Sequence, residues 1–319
     1  MVVQLPNEVL GVAIAILIYA LLCLTCSSLM IWLVWTHHER DSYVALLSYF
    51  TFLGTAASIV QQFHTLVWWR DVKIGQYEYA LAHLGSPELA IAGSSTGLDL
   101  VLFYIQYYTY NVEAVLTLFW ATSLAHTVFK FTNLAMVKRI KRRTSVLAKC
   151  VAVIIPAVFM CLLRLDVIQS SPAGFLVIAN FNIMISLSIG SLLLIAILIK
   201  YFYTRHRLVS WNARSCFSRR PRGACGEIIN VLDQGEGRQS IYDSWLVIRF
   251  SLSFVALGTF QLITILSELS QLQHHTKENL GNAANISAER ARNDFVLFMP
   301  GVSTSALVSD NFGSSRYRA

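Results

Sequence analysis

The sequence predicts an all-α integral membrane protein, a polytopic bundle of about seven transmembrane helices with the last one short. Three observations carry that expectation. Hydrophobic residues make up 55% of the 319 and charged residues only 13%, about half the charged share of soluble domains. The apolar residues gather in runs near the ~20-residue length that crosses a bilayer as a helix. Lys and Arg fall between those runs and favour alternate loops. The net charge of +7 therefore belongs to membrane-flanking loops rather than to a nucleic-acid surface.

The runs lie near residues 9–35, 43–69, 97–129, 146–163, 173–203, 244–268 and 295–309. The first lacks the basic start of a cleaved signal peptide and is too long for one, so it is expected to be a retained span. The second ends in Trp68 and Trp69, a pair that reads as an interfacial aromatic belt. The third carries acids. The fourth holds Pro156, a candidate kink, and the fifth begins with Asn180 and Asn182 in its first third. The sixth contains Arg249 and ends with Gln261 and Glu268. The seventh is about 15 residues, below the usual spanning length, and ends in a small, polar tail. It reads as a short span, a re-entrant segment or a span cut short by a wrong gene model. Residues 1–319 form a single domain without internal repeat, with outer loops at 70–96 and 269–293 and a basic inner loop at 204–243. The loop at 70–96 is amphipathic in its first part and is expected to lie on the surface as a lid.

Charge sets the orientation. With the amino terminus outside, eighteen of the 25 Lys and Arg fall on the inner side, six on the outer side, and Arg249 inside a span. That bias favours an outer, lumenal amino terminus in a multi-pass protein, which is expected to sit in the endoplasmic reticulum. The only N-x-S/T sequon, Asn285-Ile286-Ser287, then falls in an outer loop, where Asn285 is open to glycosylation. None of the six cysteines sits in an outer loop, so no exterior disulfide framework is expected.

The third run reads GLDLVLFYIQYYTYNVEAVLTLFWATSLAHTVF. Asp99, Gln106 and Glu113 recur every seven residues, which places them on one helical stripe with roughly 20° of drift per step. Tyr110, Thr117 and Trp120 extend it. An ionisable side chain in a span is costly unless it faces protein or water, so it is a functional candidate by default. Orientation gives each polar residue a depth. Gln61, Gln62 and His64 lie in the outer half of the second run, Asp99 near the outer mouth, Gln106 deeper, and Glu113 near the midplane. Asn182, Arg164 and Asp166 add to the same half, and together they outline a cavity closed toward the inner side. Tyr104, Tyr107, Tyr108, Tyr110 and Trp120 are positioned to line it with rings, each worth about 0.5–2 kcal/mol against a cation.

Each of these residues also has a structural reading. Asp99 suits the positive end of a helix dipole. Glu113 suits a packing partner for Asn182 or Gln62. Arg164 and Asp166 suit an exterior ion pair, and Asp294 a helix cap. The joint placement is the stronger signal. The chain has no GxGxxG, Walker loop, HExxH, GxSxG, Cys/His metal spacing or Asp-rich magnesium cluster. Neither a cofactor nor a metal is expected, and diphosphate departure is disfavoured as an opening step. Proton donation needs only an acid in a shaped apolar cavity.

The seven-run pattern, YNVEAVLTLFWA at 110–121 and LFMPGVSTS at 297–305 are similar to a fungal family of membrane-bound terpene cyclases. These serve meroterpenoid secondary metabolism, as in the pathways to ascofuranone, ascochlorin and macrophorins. The resemblance spans roughly residues 43–308. It implies protonation of an epoxide or terminal alkene on a prenylated aromatic substrate, then ring closure, an isomerase or lyase type of reaction. The short last run departs from what the family implies. No acid is carried over from the family. Glu113 and Asp99, as candidate catalytic acids, rest on their own placement. Gln106, Tyr104, Tyr107, Tyr110, Trp120, Gln62, Asn182 and Asp166 are the candidate substrate-binding residues. The expected partners are a lipophilic prenylated small molecule and the lipid bilayer, with no nucleic acid and no obligate protein partner. A seven-helix receptor is the alternative. Against it, the third run ends in HTVFKF rather than an acidic-Arg-aromatic triplet, and the last lacks NPxxY. A transporter would favour paired inverted repeats, which the sequence does not show.

Overall fold

The computed structural model describes residues 4–38, 40–83, 86, 88–129, 135–218, 286–296 and 298. Among them every regular element is an α-helix. In chain order these are α1 (Asn7–Thr36), α2 (Tyr43–Ala82), α3 (Glu88–Ala92), α4 (Gly97–Val128), α5 (Ala135–Leu162), α6 (Asp166–Gln169), α7 (Pro172–Ser218) and α8 (Ala288–Val296). Four stretches are long and apolar enough to cross a membrane: Asn7–Thr36, Tyr43–Ala82, Thr144–Leu162 and Gly174–Lys200. Helix α4 has 32 residues but is not among the four, because its tyrosines and polar stripe dilute its apolar content. The expected sixth run at 244–268, nearly all of the seventh, Arg249, Gln261, Glu268 and Asn285 lie outside the described residues.

Helix α1 buries Val9, Ala13, Ile16, Ala20, Cys23, Ser27, Met30 and Val34, at alternating spacings of three and four. That is one seam of a helix, and its small members let a neighbour approach closely. The rest of α1 is apolar too: Ile18, Leu22, Leu29 and Trp32 are exposed. A helix apolar all round is suited to lipid.

Helix α4 is the centre of the bundle and packs on α2, α5 and α7. It lies close against α2 at Gly54, where a Cβ would meet Thr109 Oγ1 at 2.8 Å. That oxygen is held in place by donating to the Gln106 carbonyl at 2.8 Å. Gly54→Ala is therefore expected to destabilise the protein by about 1–3 kcal/mol through overpacking. Thermal unfolding in detergent micelles measures this, and adding Thr109→Ala should recover most of the loss. Between α4 and α7 the glue is polar. Asn182 Nδ2 donates to Asn111 Oδ1 (3.3 Å), Asn111 Nδ2 donates to the Tyr107 carbonyl (2.9 Å), and Tyr107 OH donates to the Ala179 carbonyl (2.6 Å).

Several boundaries differ from the sequence expectation. Helix α2 does not stop at 69. It kinks at Trp68 (φ −113°, ψ 31°) and continues to Ala82, so the first half of the expected outer loop is helical. No Pro or Gly causes the kink. Gln4 sustains it, because its backbone N–H donates to the Val67 carbonyl (3.4 Å) and its Oε1 accepts from the Asp71 N–H (3.2 Å). These are the two groups, four residues apart, that a straight helix would have joined to each other. Trp69 is not a belt residue: it is 0% exposed, clustered with Leu5, Val9, Ala13 and Ile16 and with Ala291 and Phe295 of α8. Trp68 does stay partly exposed. Asp294 does not cap a helix. It lies within α8 and forms ion pairs with Lys73 (2.7 Å) and Arg290 (3.5 Å), while Ser287 Oγ accepts from the Arg290 N–H at the helix start. Helix α5 begins at Ala135 and takes in most of the basic block, and its helix runs on through Pro156. Helix α7 extends past 203 to Ser218, so the expected basic inner loop at 204–243 begins as helix.

The two ends of the bundle differ in character. At one, Arg40 lies over Trp35 (5.0 Å), Lys149 over Tyr43 (4.9 Å) and Lys200 over Phe129 (4.3 Å). Lys149 Nζ also donates to the Asp41 carbonyl. At the other end, Glu88 of α3 ties the helix ends together. It accepts from Tyr104 OH and lies 3.4 Å from Arg164 Nη1, with the Arg164 guanidinium 4.8 Å from the Tyr104 ring centre.

Candidate functional site

Helix α2 presents a stripe that the sequence reading passed over. Ser48, Thr51, Thr55, Ser58, Gln62 and Thr65 recur at three and four residues, and all are buried. Hydroxyls in a helix can donate to the carbonyl one turn back, which makes them cheap to bury. Ser48, Thr51 and Thr55 do so, to Val44, Leu47 and Thr51, at 2.7–2.8 Å. Each oxygen keeps a lone pair for a second partner.

Helix α4 sets its acids against this region. Asp99 is 3% exposed and lies 3.0 Å from His64 Nδ1. The His64 ring rests against Trp68 at the kink, with centres 5.2 Å apart. Two turns further along, Gln106 Nε2 donates to Gln61 Oε1 at 2.7 Å. Two turns further still comes Glu113, with the Thr51 side chain of α2 near it. The Thr51 hydroxyl itself donates to the Leu47 carbonyl (2.8 Å). Glu113 has no ion pair among the described residues, and Tyr110 is near enough to interact with it electrostatically. Both lie deep among the helices, yet both keep some accessible surface.

The expected site residues divide accordingly. Glu113, Tyr110, Gln106 and Asp99 share the stripe, and α2 is its partner. Thr51 is near Glu113, while Asn182 and Gln62 bond elsewhere. Gln62 is buried on α2 and donates from Nε2 to Ser58 Oγ at 3.2 Å. Asn182 joins Asn111 on the α7 side. Tyr104 and Tyr107 do not face Glu113: one turns to Glu88, the other to α7. Trp120 packs against Leu194 of α7. Asp166 opens α6, is exposed, and is not paired with Arg164, which lies beside Glu88 instead. Asn285 lies outside the described residues. His64 and Thr51 are the additions. His64 was visible as a polar residue in the second run, and Thr51 could have been found from the three-four spacing of hydroxyls.

An apolar groove of about 440 Å³ lies elsewhere, lined by Tyr108, Val153, Ile154, Val158, Cys161 and Leu165 among others. It does not include Glu113. Its composition is that of a lipid-facing surface, so the chemistry is better sought along the α2–α4 stripe. No protein-family profile matches this chain, and a comparison with curated proteins gives no match.

Proposed function

We propose that the chain is a membrane-bound terpene cyclase of meroterpenoid biosynthesis, acting on a prenylated and epoxidised aromatic substrate. Glu113 carries this reading. It is a carboxyl on the α4 stripe that faces α2, near Thr51 and the Tyr110 ring, with no ion pair among the described residues and part of its surface open. In the reaction, Glu113 gives its proton to the epoxide oxygen. The C–O bond opens, and the alkene electrons of the chain attack the electron-poor carbon to close the ring. A proton then leaves the final cation, so the product is an isomer of the substrate. Tyr110 faces the cation, and the Gln61–Gln106 pair orients the substrate oxygen. Asp99 lies about 21 Å away along α4 and cannot serve the same atom. In this reading α4 is a further span and, with 244–268 and 295–309, brings the total to seven. The amino terminus and the glycosylated Asn285 are then lumenal, in the endoplasmic reticulum. Microsomes carrying the chain should convert a farnesylated phenol bearing a terminal epoxide into a cyclised isomer of unchanged mass. Specific binding without conversion would favour a receptor. Full turnover by Glu113→Gln would sink the assignment of the acid.

A further inference from the structure

We propose that the polar seam between α2 and α4 is a proton relay, loaded at the His64–Asp99 pair and delivering to Glu113. Two cross-helix pairs mark it, His64 with Asp99 and Gln61 with Gln106, and Glu113 follows on the same stripe of α4. Along α4 each of these stations lies about 10.5 Å beyond the last, too far for a direct hop. The gaps are polar, however. On α2, Gln62, Ser58 and Thr55 step between the stations at three- and four-residue spacing, with neighbours about 5–6 Å apart, a distance one bridging water can close. On α4, Tyr110 stands between Gln106 and Glu113. Gln62 supplies an independent sign that the seam takes water. It is 1% exposed, and its Oε1 has no hydrogen-bond partner among the described residues. A buried amide oxygen without a donor is a place where an ordered water belongs.

The loading end has the geometry for uptake. Asp99 Oδ1 holds His64 Nδ1 at 3.0 Å, which fixes the ring and leaves Nε2 for a second partner. The His64 side chain is 25% exposed, so that nitrogen can meet solvent. Lys73 is the next cation near Asp99, and Asp294 neutralises it at 2.7 Å. A proton taken up at Nε2 is matched by one released from Nδ1 to the Asp99 carboxylate, which faces the seam. Passed on through bridging waters, a proton reaches the Glu113 carboxylate left after donation. No other bond forms or breaks. The inference rests on the reading of Glu113 as an acid that loses and regains a proton, but its test needs no substrate.

The full chain is reconstituted in liposomes and transferred to heavy water, and the carbonyl stretch of protonated Glu113 is followed by infrared spectroscopy. The band is identified by its absence in Glu113→Gln. In the wild type it should shift promptly as hydrogen exchanges for deuterium. His64→Ala should slow that shift about tenfold, the cost of roughly one hydrogen bond of the relay, and imidazole in the buffer should restore it. The double variant Gln61→Leu/Gln106→Leu should be slowed likewise, with no rescue by imidazole. Thr122→Val, on an exposed part of α4, should exchange as the wild type does. Wild-type exchange rates in all variants, or a wild-type band that does not exchange, overturn the relay. If exchange is unchanged while Glu113→Gln abolishes cyclisation, the relay fails and the cyclase stands. If the exchange pattern appears and no substrate is cyclised, the relay stands alone.

Discussion

Glu113→Gln should lower product formation by about 10²–10⁴-fold, the range that a positioned general acid contributes. The variant keeps the volume and planarity of the carboxyl. Nothing in the packing around Thr51 needs to change, so thermal unfolding in detergent should move little. What is lost is a hydrogen acidic enough to leave. Loss of product with an unchanged unfolding curve is therefore the expected pair of results. Asp99→Asn supplies the contrast. It lies two helix stretches away and touches His64, so it should slow turnover less than Glu113→Gln does. A variant of Glu113 that unfolds, or one that turns over normally, would each remove this carboxyl from the chemistry.

Trp69→Ala should be the most destabilising single change among the described residues, costing about 3–5 kcal/mol as a buried aromatic truncated to alanine. Trp69 is 0% exposed and lies where α1, the kinked α2 and α8 meet. Its indole N–H has no partner among the described residues, so the loss is one of packing and not of a hydrogen bond. The damage should be local at first. Helix α8 is held by Ala291 and Phe295 in this cluster and by the Lys73–Asp294 pair. Limited trypsin digestion should cut at Arg290 or Arg292 sooner in the variant than in the wild type. Trp68→Ala is the control, because its ring is partly exposed and rests only against His64 among the ring contacts found. It should cost within about 1 kcal/mol, in line with a surface change. Equal effects at the two positions would contradict the placement of Trp69.

The α4 stripe could be read from the sequence because seven residues are nearly two turns, and the acids stood out against an apolar background. The tyrosines could have been sorted the same way. At 100° per residue Tyr104 lies about 180° round the helix from Glu113 and Tyr107 about 120°, so only Tyr110 accompanies the acid. The α2 hydroxyls were harder to see. Ser and Thr that bond their own backbone barely disturb a hydropathy profile, and only their spacing betrays them. The kink and the burial of Trp69 could not be seen locally at all. Gln4 makes the one, and Phe295, more than two hundred positions along the chain, covers the other. Long-range partners of this kind leave no periodic trace.

The cation-over-ring contacts have a consequence for how the molecule floats. If α4 spans the membrane as proposed, Arg164 on Tyr104 marks one waterline, and Lys200 on Phe129, with its two companions, marks the other. The helix from Tyr104 to Phe129 measures about 37 Å, which lies between the ~30 Å oily slab and the full depth of a membrane with its headgroups. Guanidinium and ammonium heads can thus rest in headgroup territory on both sides while the rings beneath them rest in oil. The draught of the protein is fixed at two levels, so lipids with shorter or longer tails should force it to tilt rather than to bob.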